Sequence, residues 1–263
     1  MYNSSTGGTL SITQNPSSLD NGKIDLSNST IGTYSISYAS PGPCSTTTSI
    51  TINVVAVSVD LIANNYAMSF NGTDEYINVG TTPIVTGIFS ISMWIKRNST
   101  SVGDSNQVII GKDGSSSNRV FNVYFQNISG SISFWVSSTG TYSVNYRVDT
   151  STLINDTNWH HVVLINNGDS VNNQIFIDGV EASYATQKPG RSTLHNNETV
   201  ITSIGGDSST GTTYNFNGKI DEVAFFDYAL TAKQIKEDIY NASKDGKTAD
   251  LSNNSNLTAP VAW

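Results

Sequence analysis

The chain has 263 residues, which allows one large domain or two smaller ones. Charged residues make up only 13% of it, against ~25% in typical soluble proteins, and Ser, Thr and Asn supply the remaining polarity. A formal net charge of −8 without a Lys/Arg cluster excludes nucleic-acid and anionic-membrane partners, and no apolar run approaches the ~20 residues of a membrane span.

The first 57 residues predict short strands. Apolar and hydroxyl residues alternate with period two, which is typical of strands with one buried face. Pro41-Gly42-Pro43 predicts a turn, and Cys44, the only cysteine, is either a buried thiol or half of a bridge to a partner elsewhere. Four such strands are too few for a closed sandwich. They are expected at residues 8–12, 23–26, 32–38 and 48–54.

The stretches 7–10, 22–26 and 32–38, followed by Cys44, resemble the immunoglobulin-like repeats of long bacterial and phage surface proteins. In that family the cysteine usually pairs with another near the start of the repeat, and this chain begins after that point. The resemblance therefore implies a partial repeat, residues 1–57, whose missing strand is supplied by a neighbouring segment or subunit.

Residues 58–65 are predicted to be a linker, and the second domain is predicted over residues 66–243. About ten strands, with turn signals every 8 to 14 positions, favour an antiparallel two-sheet sandwich. Asp178-Gly179 predicts a two-residue hairpin, because glycine tolerates the positive φ of a type I′ turn. One short helix is expected at the rim, where Thr231 and Gln234 form a capping box. Residues 244–263 are predicted to be a polar tail that continues in a longer protein.

Five stretches of this domain resemble the laminin-G-like, concanavalin A-like jelly roll. They occur in that family's order, at residues 67–77, 89–96, 159–163, 175–179 and 218–223, within a resemblance that covers residues 66–240. The resemblance implies an all-β jelly roll. It leaves the activity open, since this fold hosts lectins, adhesion modules, carbohydrate-binding modules and hydrolases.

Several prominent side chains are predicted to be structural. Trp94 and Trp159 are expected to pack in the core or at the rim. His160 and His161 are adjacent on a strand, so they point to opposite faces and cannot grip one metal ion. His161 therefore joins Trp94, Trp159, Asp178, Gly179 and Cys44 in the predicted structural set.

The acidic residues argue against an enzyme. The jelly-roll hydrolases carry a Glu-x-Asp-x-Glu strand, and no such spacing occurs here. Asp221 and Glu222 are consecutive, so on a regular strand they would face opposite ways. A nucleophile elbow and a phosphate-binding loop are also missing from the sequence. We therefore predict that the chain is not an enzyme, with glycoside hydrolysis kept in reserve.

Calcium is the cofactor that the residues favour most, because it prefers carboxylate, amide and carbonyl oxygens. The family resemblance suggests that the turn 71–74 lies beside the strand that contains Asp221, so Asn71, Asp74 and Asp221 are the predicted ligands. The alternative is that Asn71-Gly72 and Asp74 are ordinary turn residues.

A glycan site needs an exposed aromatic ring surrounded by polar groups. Tyr124, Trp135, Tyr142 and Tyr146, with Arg119, are the predicted ligand-binding residues. Strand alternation leaves half of the aromatic residues in the core without fixing which half. The loop residues Asn106, Asn118, Tyr184, Arg191 and Tyr214 are equally plausible.

These observations predict a non-enzymatic binding or adhesion module that is extracellular, on a cell surface or on a virion, and that recognises a glycan or a surface receptor. The alternative is a structural virion or filament subunit, in which the sandwich and the open immunoglobulin-like edge bind neighbouring subunits or copies of the same chain.

Overall fold

The computed structural model describes residues 12–13, 23–24, 32–39, 47–54, 62–63, 66–81, 87–100, 105–114, 117–126, 129–195, 198–207 and 214–262. The chain divides into two compact units, Met1–Asp60 and Leu61–Trp263.

The described part of the first unit consists of two antiparallel strand pairs. Strand β1 (Ile12–Thr13) pairs with β2 (Lys23–Ile24), and β3 (Gly32–Ala39) pairs with β4 (Thr47–Val54) along all eight residues. Cys44 and the predicted turn at residues 41–43 lie outside the described residues. The immunoglobulin-like resemblance of this unit stays a prediction.

The described strands of the second unit form two antiparallel sheets, apart from the short pair β5–β19. The seven-stranded sheet has the order β16-β12-β11-β10-β9-β17-β7, and the six-stranded sheet the order β15-β14-β13-β8-β18-β6. The strands are β5 (Ile62–Ala63), β6 (Met68–Asn71), β7 (Ile77–Gly80), β8 (Phe89–Arg97), β9 (Gln107–Asp113), β10 (Arg119–Gln126), β11 (Ser131–Gly140), β12 (Arg147–Thr150), β13 (Trp159–Asn166), β14 (Gln174–Ile177), β15 (Val180–Glu181), β16 (Tyr184–Thr186), β17 (Thr202–Ile204), β18 (Asn217–Phe226) and β19 (Lys247–Thr248).

Strand alternation builds the core between the two sheets. On β8, Ile91, Met93 and Ile95 are fully buried in the main apolar cluster, together with Phe121 and Phe134 from the opposite sheet. The residues between them point away from the core. The predicted all-β fold, an antiparallel two-sheet sandwich, is confirmed.

The short helix lies on the outer face of the six-stranded sheet rather than at the rim. Its π-helical part (Gln234–Tyr240) continues into one α-helical turn (Asn241–Ser243). The capping box is confirmed, since the Thr231 N–H donates to Gln234 Oε1 over 2.9 Å and the Gln234 N–H donates to Thr231 Oγ1 over 3.2 Å. Ile235 and Ile239 are buried against the outward side chains of the sheet, because these form a second apolar cluster.

Residues 249–257, within the predicted tail, pack on the same face of the sheet. Lys247–Thr248 pairs with Ile62–Ala63, a segment predicted to be linker. Leu251 and Leu257 are buried in the cluster that includes the helix, and the Phe225 N–H donates to the Ala262 carbonyl over 2.8 Å. Residues 249–257 of the segment predicted as a polar tail therefore form part of a third layer, whereas Ala262 pairs with Phe225 of β18 and packs against the main core.

Strand β18 contains a bulge that overturns one expectation about its acidic residues. The pairing with β8 shifts between Asp221 and Ala224, and Glu222 adopts a φ of 49°. A bulge turns one residue out of the regular alternation. Asp221 and Glu222 consequently line the same cavity instead of facing opposite ways.

Candidate functional site

Aromatic side chains cluster on the outer face of the seven-stranded sheet. Tyr124 on β10 and Trp135 on β11 share a small apolar cluster with Val108, and Tyr214 packs against it. The Trp135 and Tyr142 rings meet edge to face, with centroids 5.5 Å apart. Trp135 is only 3% exposed whereas Tyr142 is 37% exposed, so Tyr142 presents its ring to solvent.

Polar side chains from three neighbouring strands lie beside these rings. Arg147 Nη1 donates to the Tyr142 hydroxyl over 2.8 Å, and Arg147 Nε and Nη2 reach the Asp149 carboxylate at 2.8 and 2.7 Å. Gln126 Nε2 and Ser133 Oγ also donate to Asp149 Oδ1, each over 2.6 Å. Hydrogen bonding to Asp149 raises the pKa of Arg147, and burial raises the pKa of Tyr124. The Tyr142 ring is therefore held in place by a charged network.

The structure brings three of the five predicted ligand-binding residues together, namely Tyr124, Trp135 and Tyr142. Tyr146 is half-buried against the main core, and the Arg191 guanidinium lies 4.8 Å from its ring centroid. Arg119 Nε lies 3.4 Å from Asp113 Oδ1. Neither residue is part of the aromatic cluster.

A cavity of about 520 Å³ opens on the other sheet, beside the end of the helix. Trp94, which faces outward from β8, stacks on Tyr240 of the helix with ring centroids 5.8 Å apart. Trp159 lies at the start of β13 and is 37% exposed. Asp178, Asp221 and Glu222 also line this cavity, so aromatic and acidic groups meet there.

Four of the predicted structural residues lie together beside the cavity, namely Trp94, His161, Asp178 and Gly179. Asp178 and Gly179 make the predicted hairpin turn with φ values of 52° and 76°, between the paired Ile177 and Val180. Asp178 Oδ1 accepts the His161 backbone N–H over 2.9 Å. Trp94 Nε1 donates to Ser243 Oγ over 2.9 Å.

The two histidines have different surroundings, as their adjacent positions on the strand predict. His161 is buried beside Trp94 and Tyr240, with its Nε2 2.8 Å from Ser92 Oγ, and burial lowers its pKa to about 4. His160 lies between Asp178 (2.8 Å) and Asp156 (3.0 Å), and its hydrogen bond to Asp178 raises its pKa. Both histidine side chains are therefore held by contacts within the chain.

The structure keeps two of the three predicted calcium ligands together, Asn71 and Asp74, and places Asp221 apart from them. Asn71 Nδ2 donates to Asp74 Oδ1 over 2.8 Å, and Asn71 Oδ1 accepts the Thr73 N–H over 2.7 Å, so this turn is internally bonded. Asn71 pairs with Asn217, whereas Asp221 lies four residues further along β18, about 13 Å away at ~3.3 Å per residue. Within the described ranges, no three His, Cys, Asp or Glu side chains are grouped to hold a metal ion. Calcium binding, predicted for Asn71, Asp74 and Asp221, stays a prediction.

Sequence analysis missed the polar network and the shared orientation of the two acids. Arg147 and Asp149 alternate with the buried Val148, so period two could have placed both beside Trp135. The positive φ of Glu222 has no such signal, because it depends on the register between β18 and β8.

Comparison with known proteins places the fold in a family. Residues 71–236 match the family model of the concanavalin A-like lectin/glucanases superfamily. The chain therefore belongs to this superfamily, which confirms the jelly-roll resemblance. Comparison with curated proteins finds no match. In the described part of the chain, no helix is long and apolar enough to cross a membrane.

Solved structures with a similar fold include a carbohydrate-binding module. The CBM40 of the Ruminococcus gnavus IT-sialidase, bound to alpha2,3 sialyllactose, is 14% identical and has a TM-score of 0.51, with 66% of this chain and 95% of that chain covered. The same module bound to alpha2,6 sialyllactose is 15% identical with a TM-score of 0.50, covering 66% and 96%. At these identities the similarity concerns the fold.

Proposed function

We propose that this chain is a non-catalytic carbohydrate-binding module that holds a glycan on the outer face of its seven-stranded sheet, around Tyr142. The observation that carries the proposal is the exposed Tyr142 ring, packed on Trp135 and hydrogen-bonded through its hydroxyl to Arg147. Sugars stack their C–H faces on aromatic rings, and a ring already fixed in place loses little freedom on binding.

Polar groups beside the ring supply hydrogen bonds to sugar hydroxyls. The side chain of Arg147 is 27% exposed, whereas that of Asp149 is 7% exposed. The guanidinium is therefore the group of this pair that a ligand reaches first. A neutral hydroxyl can accept from it without breaking the ion pair with Asp149, because the guanidinium has five N–H groups and Nη1 and Nη2 each use only one of their two in the bonds to Tyr142 and Asp149.

The surface composition supports a position outside the cell or on a virion. With 13% charged residues, the surface has little long-range field, and its Ser, Thr and Asn side chains offer short-range hydrogen bonds. Such a surface suits a module that contacts sugars or other copies of an external protein.

A glycan array that includes neutral and sialylated oligosaccharides tests the proposal. Sialylated glycans are included because the similar CBM40 structures are complexes with sialyllactose. We expect binding by the intact chain and a loss of at least about tenfold in Tyr142→Ala, since truncating a hot-spot aromatic residue costs about 2 kcal/mol or more and about 1.4 kcal/mol is already tenfold.

Tyr76→Ala is the matched control, because Tyr76 is 40% exposed and precedes β7 at the far edge of the same sheet. Equal loss in the two variants would contradict the proposed site. An array without any signal, together with a stable homopolymer, would favour the structural-subunit alternative.

A further inference from the structure

The cavity on the six-stranded sheet has the size and walls of a ligand site. Its volume of about 520 Å³ lies within the ~300–1,000 Å³ range in which proteins hold small ligands. It belongs to the second unit and lies on the opposite sheet from Tyr142. The site proposed above therefore leaves this cavity unexplained.

The aromatic walls are fixed by contacts within the chain. Trp94 is held from one side by the stack on Tyr240 and at its N–H by Ser243. Tyr240 in turn packs against Gly179, where an added Cβ would lie 2.9 Å from the Tyr240 ring. Trp159, which is 37% exposed, also lines this cavity. Two indole rings and a phenol thus flank one space without needing to move.

The charges of the lining are almost balanced, and this selects the class of ligand. Among the described residues, Asp178, Asp221, Glu222 and Asp245 provide carboxylates, whereas Lys219, Lys244 and Lys247 provide ammonium groups. An anion would meet the four acids, and a cation would meet the three lysines. The Lys244 ammonium also lies 6.0 Å from the Tyr240 ring centroid, so a cation of the chain already uses that face. A neutral ligand with many hydroxyls fits best, because a hydroxyl donates to carboxylates and accepts from ammonium groups.

The bulge in β18 adds an independent observation. Glu222 has a φ of 49°, a left-handed conformation that disfavours side chains other than glycine. Strained backbone of this kind is concentrated at binding sites, where the surrounding structure maintains it. Here its effect is to bring the Glu222 side chain to the same cavity as Asp221.

From these features we infer that this cavity is a second binding site, for one neutral sugar residue, with Trp159 and Trp94 as stacking surfaces and Asp221 and Glu222 as hydrogen-bond acceptors. Because the two sites lie on opposite sheets, one module can hold two glycan chains at once. Linking two sites in this way raises avidity without a new contact.

Tryptophan indole N–H signals in a two-dimensional NMR spectrum separate the two sites. Trp94 and Trp159 report on the cavity, and Trp135 reports on the opposite face. The probes are glucose, galactose, mannose, N-acetylglucosamine and lactose, with choline and glucuronate as charged comparisons. We expect at least one neutral sugar to shift the Trp94 and Trp159 signals, in the intact chain and equally in Tyr142→Ala.

Two variants test the lining itself. Trp159→Ala should weaken the sugar-induced shift of Trp94 at least about tenfold, since it removes an exposed ring. Glu222→Gly should also weaken it while keeping the fold, because glycine accepts the positive φ. Val180→Ala, at another exposed apolar residue, is the control.

The possible outcomes are distinguishable. No shift of Trp159 with any neutral sugar, shifts with choline or glucuronate alone, or unchanged binding in both lining variants would overturn the inference. A shift of Trp135 without Trp159 supports the proposed function and overturns the second site. The reverse pattern supports the second site and contradicts the site around Tyr142.

Discussion

The two outer faces of the sandwich begin from the same strand pattern and end in different environments. Trp135 and Trp94 both alternate with core residues, so both point away from the space between the sheets. Trp135 packs against Tyr142, which presents its ring to solvent. Trp94 packs under the helix and bonds Ser243. An outward aromatic residue is thus packed beside an exposed ring or held by a further layer, according to which segment lies over it.

The helix and the segment after it bury apolar side chains on the outer face of the six-stranded sheet. In the described part of the chain, eleven buried residues form the apolar cluster on the outer face of the six-stranded sheet. They come from β13, β14, β18, the loop before the helix, the helix and residues 249–257. Covering one face converts a two-layer sandwich into three layers, and the cavity lies where the third layer ends, beside Ser243 and Lys244.

The largest expected effect tests whether the third layer folds with the sandwich. Phe226→Ala in the outer cluster and Phe134→Ala in the inner core should each lower the free energy of unfolding by about 3–5 kcal/mol, because both rings are fully buried. Chemical denaturation monitored by tryptophan fluorescence measures both. A cost below about 1 kcal/mol for Phe226→Ala alone would mean that the covered face contributes little.

The pH dependence of stability tests the burial of His161 on the covered face. Its pKa is about 4 in the fold and about 6.5 when exposed, so the unfolded chain binds the extra proton between these values. Stability should therefore fall by about 3 kcal/mol as the pH drops from 6.5 to 4.

His161→Gln should lack this component of the pH slope, as denaturant unfolding of the two proteins across this range can measure. The neighbouring His160 is present in both proteins and does not produce this loss of stability at low pH. Its pKa is raised, so its stabilisation is fully present below pH 6.5 and is lost as the pH rises through its folded pKa. Identical slopes in the two proteins would contradict the buried neutral His161.

Two glycine variants test the contact between the Asp178-Gly179 turn and Tyr240 of the helix. Gly179 and Gly80 both have positive φ, but an added Cβ at Gly179 meets the Tyr240 ring, whereas at Gly80 nothing lies within 4 Å. Both alanine variants should lose about 1–2 kcal/mol from backbone strain. Thermal unfolding should show the greater loss for Gly179→Ala, and equal losses would argue against close packing of Tyr240 on the turn.

The smallest effect concerns the Tyr142 hydroxyl. Tyr142→Phe removes the acceptor of the Arg147 hydrogen bond and should cost about 1 kcal/mol or less, since the pair is exposed. The ring remains, so glycan affinity should stay within about threefold of that of the unchanged chain. Scanning calorimetry measures the change in stability, and titration calorimetry measures the glycan affinity. Loss of all binding would mean that the hydroxyl, and not the ring, recognises the glycan.

Local rules predicted much of this molecule. The Asp178-Gly179 hairpin and the Thr231 capping box depend on a few adjacent residues, and both form as predicted. The outward position of Trp135 follows from period two once the core face is known. The bulge at Glu222 and the docking of Leu251 and Leu257 depend on contacts with distant segments, and neither has a local pattern. The distance between Asp221 and Asn71 depends on strand register in the same way, whereas the predicted pairing of their two strands is present.

The central claim, a glycan held around Tyr142, is tested most directly by calorimetric titration of the strongest array ligand into the intact chain, Tyr142→Ala and Tyr76→Ala. The account predicts that Tyr142→Ala loses at least about tenfold in affinity while Tyr76→Ala binds as the intact chain does. Undiminished affinity in Tyr142→Ala would contradict it.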